Sequence, residues 1–315
     1  LAVALAGALM VPARAQDYPV QTVKIIVPFG AGGPADIYAR YIGQYLQEAL
    51  KQSFVIEDRP GAGSFIGTSE VAKAAPDGYT LLMMSNTHTV NETLRPNRPF
   101  DLMRDFVGVA PVNSSDLIMV VHPSVPAKDL KEFIALAKSK PGALNYASSG
   151  LGTPYHMAGE LFKAMSGTDI VHVPHKASGD ARSAVLGGHV QMMLDAITTT
   201  GPTVQGGQLR ALGTTGKTRS SLMPDVPTIA EAGVPGYETT IWLGIVAPAG
   251  TPRPIVDKLN AEINKVLTRT ETREAWAKQG AVPLVMSPAD FDRYLRADIA
   301  KWADVIKKAG IKPVQ

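Results

Sequence analysis

The chain has 315 residues, 45% hydrophobic and only 19% charged, which gives it apolar material for a sizeable core and length for two domains. Its 31 Lys and Arg against 28 Asp and Glu leave a net charge of +3, spread evenly along the sequence, which argues against a nucleic-acid partner. Cysteine is absent, so thiol catalysis, disulfides and thiolate metal sites are excluded.

The first fifteen residues, LAVALAGALMVPARA, form an apolar run ending in Ala13-Arg14-Ala15. They read as a signal peptide cleaved after Ala15, which places the mature chain in the periplasm. No later stretch has the roughly 18 unbroken apolar residues of a membrane span. From Lys24 short β-branched runs alternate with amphipathic helices: KIIVPF, a helix over Ile37 to Leu50, Phe54-Val55-Ile56, a helix over Gly67 to Ala74, and Tyr79 to Met84. That spacing predicts a parallel α/β layout. A second series follows, with strands at Leu117 to Val121, Leu144 to Ala147, Ile170 to Val173, Val190 to Leu194 and Leu209 to Gly213, and helices at Lys128 to Ser139 and Pro154 to Met165. Thr240 to Val246 is the last strong strand, and Pro252 to Gly310 reads as helices. The pattern predicts two α/β lobes joined by two hinge crossings. Lobe 1 comprises residues 16–118 and 246–315, and lobe 2 residues 119–245.

In open α/β sheets ligands bind beyond the carboxyl ends of strands, so the loops there carry the site. After the first strand comes Phe29-Gly30-Ala31-Gly32-Gly33-Pro34. Its glycines admit close backbone approach and Pro34 suits a first helical turn, so a small anion is expected on this helix end. The loop Ser85-Asn86-Thr87-His88-Thr89 is a dense hydrogen-bonding cluster. In the other lobe, Ser148-Ser149-Gly150-Leu151-Gly152-Thr153 precedes a helix carrying His156 and repeats the logic of the first loop. One cradle per lobe predicts a cleft that closes on an anion. His175, Lys176 and Arg182 follow a strand end in lobe 2 and supply either cleft charge or a solvated face. Asp195 either orients the ligand or holds a neighbouring loop.

Gly30-x-Gly32-x-x-Ala35 formally matches a dinucleotide fingerprint, with Glu57 as the ribose-binding acid, but Pro34 withdraws an N–H that a pyrophosphate would use. The alternative of an exported serine hydrolase takes Ser149 as nucleophile and His156 or His175 as base. Ala147 stands where the nucleophile elbow needs glycine, and no histidine follows Asp195. Gly213 to Thr218 falls short of phosphate-loop spacing, and His172 and His175 have no carboxylate at fixed spacing to make a metal site. The chain is therefore read as a non-enzyme with no cofactor and no metal, and it is expected to be a monomer.

The stretches VPFGAGGPADIYAR, EDRPGAGSFIGTSEVAKAAPDGYTLL, HPSVPAKDLKEFIALAKSKPGALNYASSGLGTPYHMAGELFKAM, PDVPTIAEAGVPGYE and APAGTPRPIVDKLNAEI resemble the Bug, or TctC-like, family of extracytoplasmic solute receptors. The similarity runs from Tyr18 to Pro313. It implies a Venus-flytrap periplasmic binding protein that clamps a small di-, tri- or aromatic carboxylate and delivers it to the permease of a tripartite tricarboxylate transporter. The carboxylate would be held by Phe29 to Gly33 and Ser148 to Thr153, often through waters, with further contacts from Ser85 to His88 and Asp195. The chain departs from the usual Val-Pro-Tyr-Lys-Gly at Val173-Pro174-His175-Lys176-Ala177, on the loop expected to meet the far end of the ligand.

Overall fold

The computed structural model describes Tyr18–Pro313, so the expected signal peptide and its cleavage after Ala15 lie outside the described residues. The chain begins with β1 (Val23–Val27), α1 (Pro34–Leu50) and β2 (Phe54–Asp58), and a 3-10 turn at Ala62–Ser64 runs directly into α2 (Phe65–Ala72). Then come β3 (Thr80–Ser85), α3 (Asn86–Leu94), the single turn α4 (Leu102–Asp105) and the long β4 (Phe106–Val121). The next series is α5 (Leu130–Ser139), β5 (Asn145–Ser148), α6 (Pro154–Ser166), β6 (Val171–Pro174), α7 (Ser178–Leu186), β7 (Met192–Ala196), α8 (Ile197–Gln205) and β8 (Arg210–Thr214). The chain closes with β9 (Thr240–Pro248), α9 (Arg253–Thr268), α10 (Thr270–Ala277), β10 (Ala281–Pro283) and α11 (Pro288–Lys308).

Strand order is β2-β1-β3-β9-β4-β7-β5-β6, with β8 and β10 also pairing with β4. Each half keeps the expected parallel core, β1 with β2 and β3, and β5 with β6 and β7. The strands between them are antiparallel, β9 to both β3 and β4, and β4 to β7, β8 and β10. The all-parallel expectation is corrected for a physical reason: one strand leaves the first half and the other returns to it, so side by side they must run in opposite directions.

β4 serves both halves. Its Phe106–Asp116 portion pairs with β9, whereas Leu117–Val121 pairs with β7 and β8. The polar run Asn113-Ser114-Ser115-Asp116 hid this continuity from a hydropathy reading, although Asn113 and Ser115 are buried. On the return, Thr239 N–H donates to Thr215 O in the second half, and Thr240 already pairs with Asp116. The ladder thus changes sheets at Asp116–Leu117 and Thr239–Thr240, and all of β9 sits in the first sheet. β10 interrupts what had been expected as helix alone after Pro252, because its Ala281–Pro283 completes the edge of β4.

Helices cover both faces. Tyr38, Ile42 and Leu46 recur at four-residue spacing on α1 and pack with Leu259, Ile263 and Trp276 of α9 and α10 against one face of the first sheet. Phe100, Trp242, Phe291 and Leu295 fill the other face. The second half has its own core around Phe133, Tyr146, Phe162 and Leu194. A fourth cluster bridges the halves: Met157 from α6 is fully buried among Val90 and Leu94 of α3 and Trp302 and Ile306 of α11. The architecture is α/β and two-lobed.

Candidate functional site

A cavity of about 440 Å³ lies where the strand ends of the two halves face one another. The first half contributes Pro28 to Gly30, Gly33 to Ala35, Pro60 to Ser64, Ser85, Ile241 and Leu243; the second contributes Ser149, Gly150, Thr153 to Tyr155 and His175 to Ser178. The N-cap residues of α1 (Gly33), α2 (Ser64), α3 (Ser85), α6 (Thr153) and α7 (Ala177) all line it. Each helix start leaves backbone N–H groups without intrahelical partners and carries roughly half a positive charge. Ser85 and Thr153 cap their helices, accepting from Thr87 N and His156 N, but α1 and α7 have no side-chain cap. Among the described residues no Asp or Glu lines the cavity, whereas Lys176 and His175 do. The wall is built for negative charge.

The loop after β1 divides. Phe29, Gly30 and Gly33 line the cavity; Ala31 and Gly32 are exposed and do not. Gly32 has φ +74, donates its N–H to Asp36 Oδ2 at 2.8 Å, and a Cβ there would meet nothing within 4 Å. The expectation that Gly32 admits a ligand is corrected: its backbone needs the left-handed turn, and its amide is already taken. Close approach belongs to Gly30, where a Cβ would stand 2.5 Å from Ala177 Cβ across the cavity, and to Gly33, 3.2 Å from Ser178 Oγ.

Ser85 faces the cavity, but Asn86, Thr87 and His88 form the first turn of α3 rather than a loop, and their side chains turn inward. Asn86 Nδ2 donates to Thr240 O at 3.0 Å, Thr87 Oγ1 accepts from Ser85 Oγ at 3.0 Å, and His88 Nε2 lies 2.9 Å from Thr68 Oγ1. Burial pushes His88 down to about 4, so the ring is neutral and serves as a cap, with its edge against Phe29.

In the second half Ser149, Gly150 and Thr153 line the cavity, with Thr153 Oγ1 donating to Gly150 O at 2.7 Å. Ser148 is fully buried and pairs with His172 Nε2 at 2.6 Å. His156 lies behind the loop: its Nδ1 accepts from Gly152 N at 3.1 Å, and its ring packs 4.3 Å from that of His172, which stacks on Tyr146. Burial holds His156 at about 4, and burial reinforced by His156 holds His172 at about 3. Neither His156 nor His175 hydrogen-bonds Ser149. His175 does line the cavity; its Nδ1 donates to Val173 O at 3.1 Å, which leaves Nε2 as the ring nitrogen available to a ligand.

Asp195 and Arg182 do not line the cavity. Asp195 is fully buried, with Oδ2 accepting from Arg182 Nε at 2.8 Å and from Thr200 Oγ1, and Oδ1 accepting from Ala196 N. Of the two readings of Asp195, the geometry selects the one that holds a neighbouring segment, and Arg182 is spent on the same task. Glu57 pairs with Lys24 and Arg59 away from the cavity, so no ribose-binding acid stands there. The walls at Pro60 to Ser64, Tyr155, Ser178, Ile241 and Leu243 were missed. A signal for the first existed: Gly61-Ala62-Gly63-Ser64 follows β2 and precedes a helix, as the glycine turn after β1 does.

The profile described as "TctC: Tripartite tricarboxylate transporter family receptor" matches residues 38–311. Protein BugT of Bordetella pertussis is 36% identical over 312 residues, covering 98% of this chain and 95% of BugT. Among solved structures, a protein of R. palustris with adipate superposes with a TM-score of 0.92 at 36% identity, covering 95% of this chain and all of that one. MatC from Rhodopseudomonas palustris with bound malate gives 0.87 at 34% identity, covering 92% of this chain and all of MatC. With this profile match across most of its length and these relatives along nearly all of it, the chain belongs to the tripartite tricarboxylate transporter receptor family.

Proposed function

We propose that this chain is an extracytoplasmic receptor that captures a small carboxylate between its lobes and hands it to the membrane permease of a tripartite tricarboxylate transporter. The observation that carries this reading is the set of helix N-termini that border one cavity from both halves, with no acidic side chain among the described residues on its walls. The adipate and malate held by two related structures support a carboxylate as the ligand. The reading takes the membrane permease as partner and the receptor as a monomer, takes the periplasmic location with cleavage after Ala15 from the Ala13-Arg14-Ala15 ending, and takes the lobes as those separated at Asp116–Leu117 and Thr239–Thr240. Ser149 acts here as a wall hydroxyl and not as a nucleophile, for it lacks a histidine partner.

A hydrogen bond to a charged group contributes about 1.5 to 3 kcal/mol and a helix end about 0.3 to 1. Three or four such contacts on one carboxylate, after ordering costs, support affinity near the micromolar scale of roughly −8 kcal/mol. Donors come from both lobes, so the full set exists only when the cleft is shut, and the ligand favours closure by that difference. A thermal-shift screen of di-, tri- and aromatic carboxylates, followed by calorimetry, tests the reading. Saturable stabilisation by at least one of them, with no turnover of an ester panel, is expected. Ester hydrolysis abolished by Ser149→Ala would replace the receptor with the hydrolase.

A further inference from the structure

A large apolar side chain crosses from the second half into the first without lining the cavity. Met157, one turn into α6, is fully buried among Val90 and Leu94 of α3 and Trp302 and Ile306 of α11. Val90 and Leu94 share a helix face at four-residue spacing, and so do Trp302 and Ile306, so two apolar stripes of the first half form the walls of a socket. The socket is braced within its own half. Asp298 Oδ2, on α11, accepts from Thr89 Oγ1 of α3 at 2.6 Å and from Trp242 Nε1 of β9 at 3.1 Å. Met157 is unbranched and adaptable, which suits a side chain that enters and leaves such a socket.

The socket lies on the same seam as the cavity rim. α6 starts at the Ser148–Thr153 loop, whose Leu151 O would be 3.1 Å from a Cβ at Gly63. A Cβ at Gly152 would stand 2.5 Å from Asn91 Oδ1 and 3.3 Å from Leu94 Cδ2. Gly63, Asn91 and Leu94 belong to the first half, where Asn91 Nδ2 donates to Gly63 O at 3.2 Å. Parting this rim to admit a solute therefore draws the loop, α6 and Met157 away from α3 together. α3 is fixed to the chain crossing at its start, where Asn86 Nδ2 donates to Thr240 O, and Leu94 lies eight residues on, about 12 Å along the axis. At that arm a bend of about 5° opens about 1 Å, which forfeits roughly half of each dispersion contact in the socket. The apolar contact thus belongs to the shut form and requires no ligand.

We propose that Met157 is a clasp between the lobes, whose seat between α3 and α11 stabilises the shut cleft before any ligand arrives. A ligand that needs the shut form binds more weakly as the fraction of molecules already shut falls, so the clasp sets the affinity for every carboxylate by one common factor. Only this affinity consequence rests on the carboxylate-receptor reading; the clasp itself is a property of the fold.

The test pairs calorimetry with butyrate, succinate, adipate, citrate and benzoate with small-angle X-ray scattering of the ligand-free protein. Met157→Ala weakens every acid that binds the wild type by a common factor of at least fivefold, leaves their ranking unchanged, and enlarges the ligand-free radius of gyration. Saturation with the tightest acid returns that radius to the value of the liganded wild type. Met157→Leu, which keeps the apolar volume, stays within twofold of the wild type in affinity and matches its radius. If Met157→Ala does not fold, Ile306→Ala, on the socket side, gives the same two changes. A folded variant with unchanged affinities, with an unchanged ligand-free radius, or with only some acids weakened overturns the clasp and leaves the receptor standing. A wild type that binds no carboxylate overturns the receptor, and the ligand-free radius of the variants alone then decides the clasp.

Discussion

Gly30→Ala probes whether the two halves must meet to hold the ligand. Gly30 is not in the left-handed region, so alanine is tolerated by its backbone, but the added methyl stands 2.5 Å from Ala177 Cβ in the opposite half. Two carbons need about 3.5 to 4 Å, so the gap must widen by about 1 to 1.5 Å. A hydrogen bond near 2.9 Å stretched by that amount is lost. If two charge-assisted bonds from the second half are forfeited at about 1.5 kcal/mol each, affinity falls by about 3 kcal/mol, roughly a hundredfold. Calorimetry with the tightest carboxylate of the screen measures this loss, and thermal unfolding of the ligand-free protein should change little. The decisive variant is the double one. Ala177→Gly removes the opposing methyl, so Gly30→Ala with Ala177→Gly recovers most of the affinity, and the cycle returns a coupling close to the whole loss. Undiminished binding in Gly30→Ala, or failure of Ala177→Gly to rescue it, refutes closure as the source of affinity.

The remaining predictions concern neighbouring groups. Gly32→Val puts a β-branched residue at φ +74 and lowers stability by about 1 to 3 kcal/mol in urea unfolding, yet carboxylate affinity stays within about twofold because its Cβ meets nothing within 4 Å. A large loss of affinity in the folded variant would return Gly32 to the site. His175→Tyr removes the available ring Nε2 from the cavity wall and reorders the ranking of mono- and dicarboxylates in the same calorimetric panel; an identical ranking shows that His175 is a bystander. His88 and His156 sit at about 4 and His172 at about 3, below the ordinary 6.5, so between pH 6.5 and 4 the unfolded chain binds more protons than the folded one. Their contribution is complete above pH 6.5 and is lost as pH falls through 4, by about 1.4 kcal/mol per unit for each ring. Asp116, raised to about 6 by burial and Glu238, works in the opposite sense as pH falls through 6. Histidine NMR isolates the rings: neutral spectra for these three at pH 5 are expected, and midpoints near 6.5 would show that they are not buried as described.

What could be read from the sequence was local. The glycine turn after β1 and the Ser148–Thr153 loop declare themselves because a strand, a small-residue turn and a helix start are adjacent in the chain, and Phe29, Gly30, Ser149 and Thr153 do line the cavity. Side-chain direction was not readable. Asn86, Thr87 and His88 look like binding groups by type, but α3 packs between β3 and α11 and consumes them internally. Asp195 is spent on Arg182, thirteen residues before it, a pairing that depends on how α7 lies against β7. Strand orientation was equally hidden, since an apolar run such as Thr240–Pro248 has the same composition whichever way its neighbour points. The Gly61–Ser64 turn was overlooked although it follows the same grammar as the first.

The sharing of β4 between the sheets governs how the protein can move. Where the chain passes between halves, β4 and β9 lie side by side and bonded, with Asp116 opposite Thr240, while Thr215 Oγ1 accepts from Leu117 N on one strand and Thr215 O accepts from Thr239 N on the other. Such a two-stranded ribbon flexes readily out of its own plane, but sliding one strand past the other would break ladder bonds worth about 1 kcal/mol apiece. The motion such a ribbon admits at least cost is a bend across it, as covers turn on the spine of a book. The angle of that spine is then the coordinate along which open and shut forms of the cleft would differ.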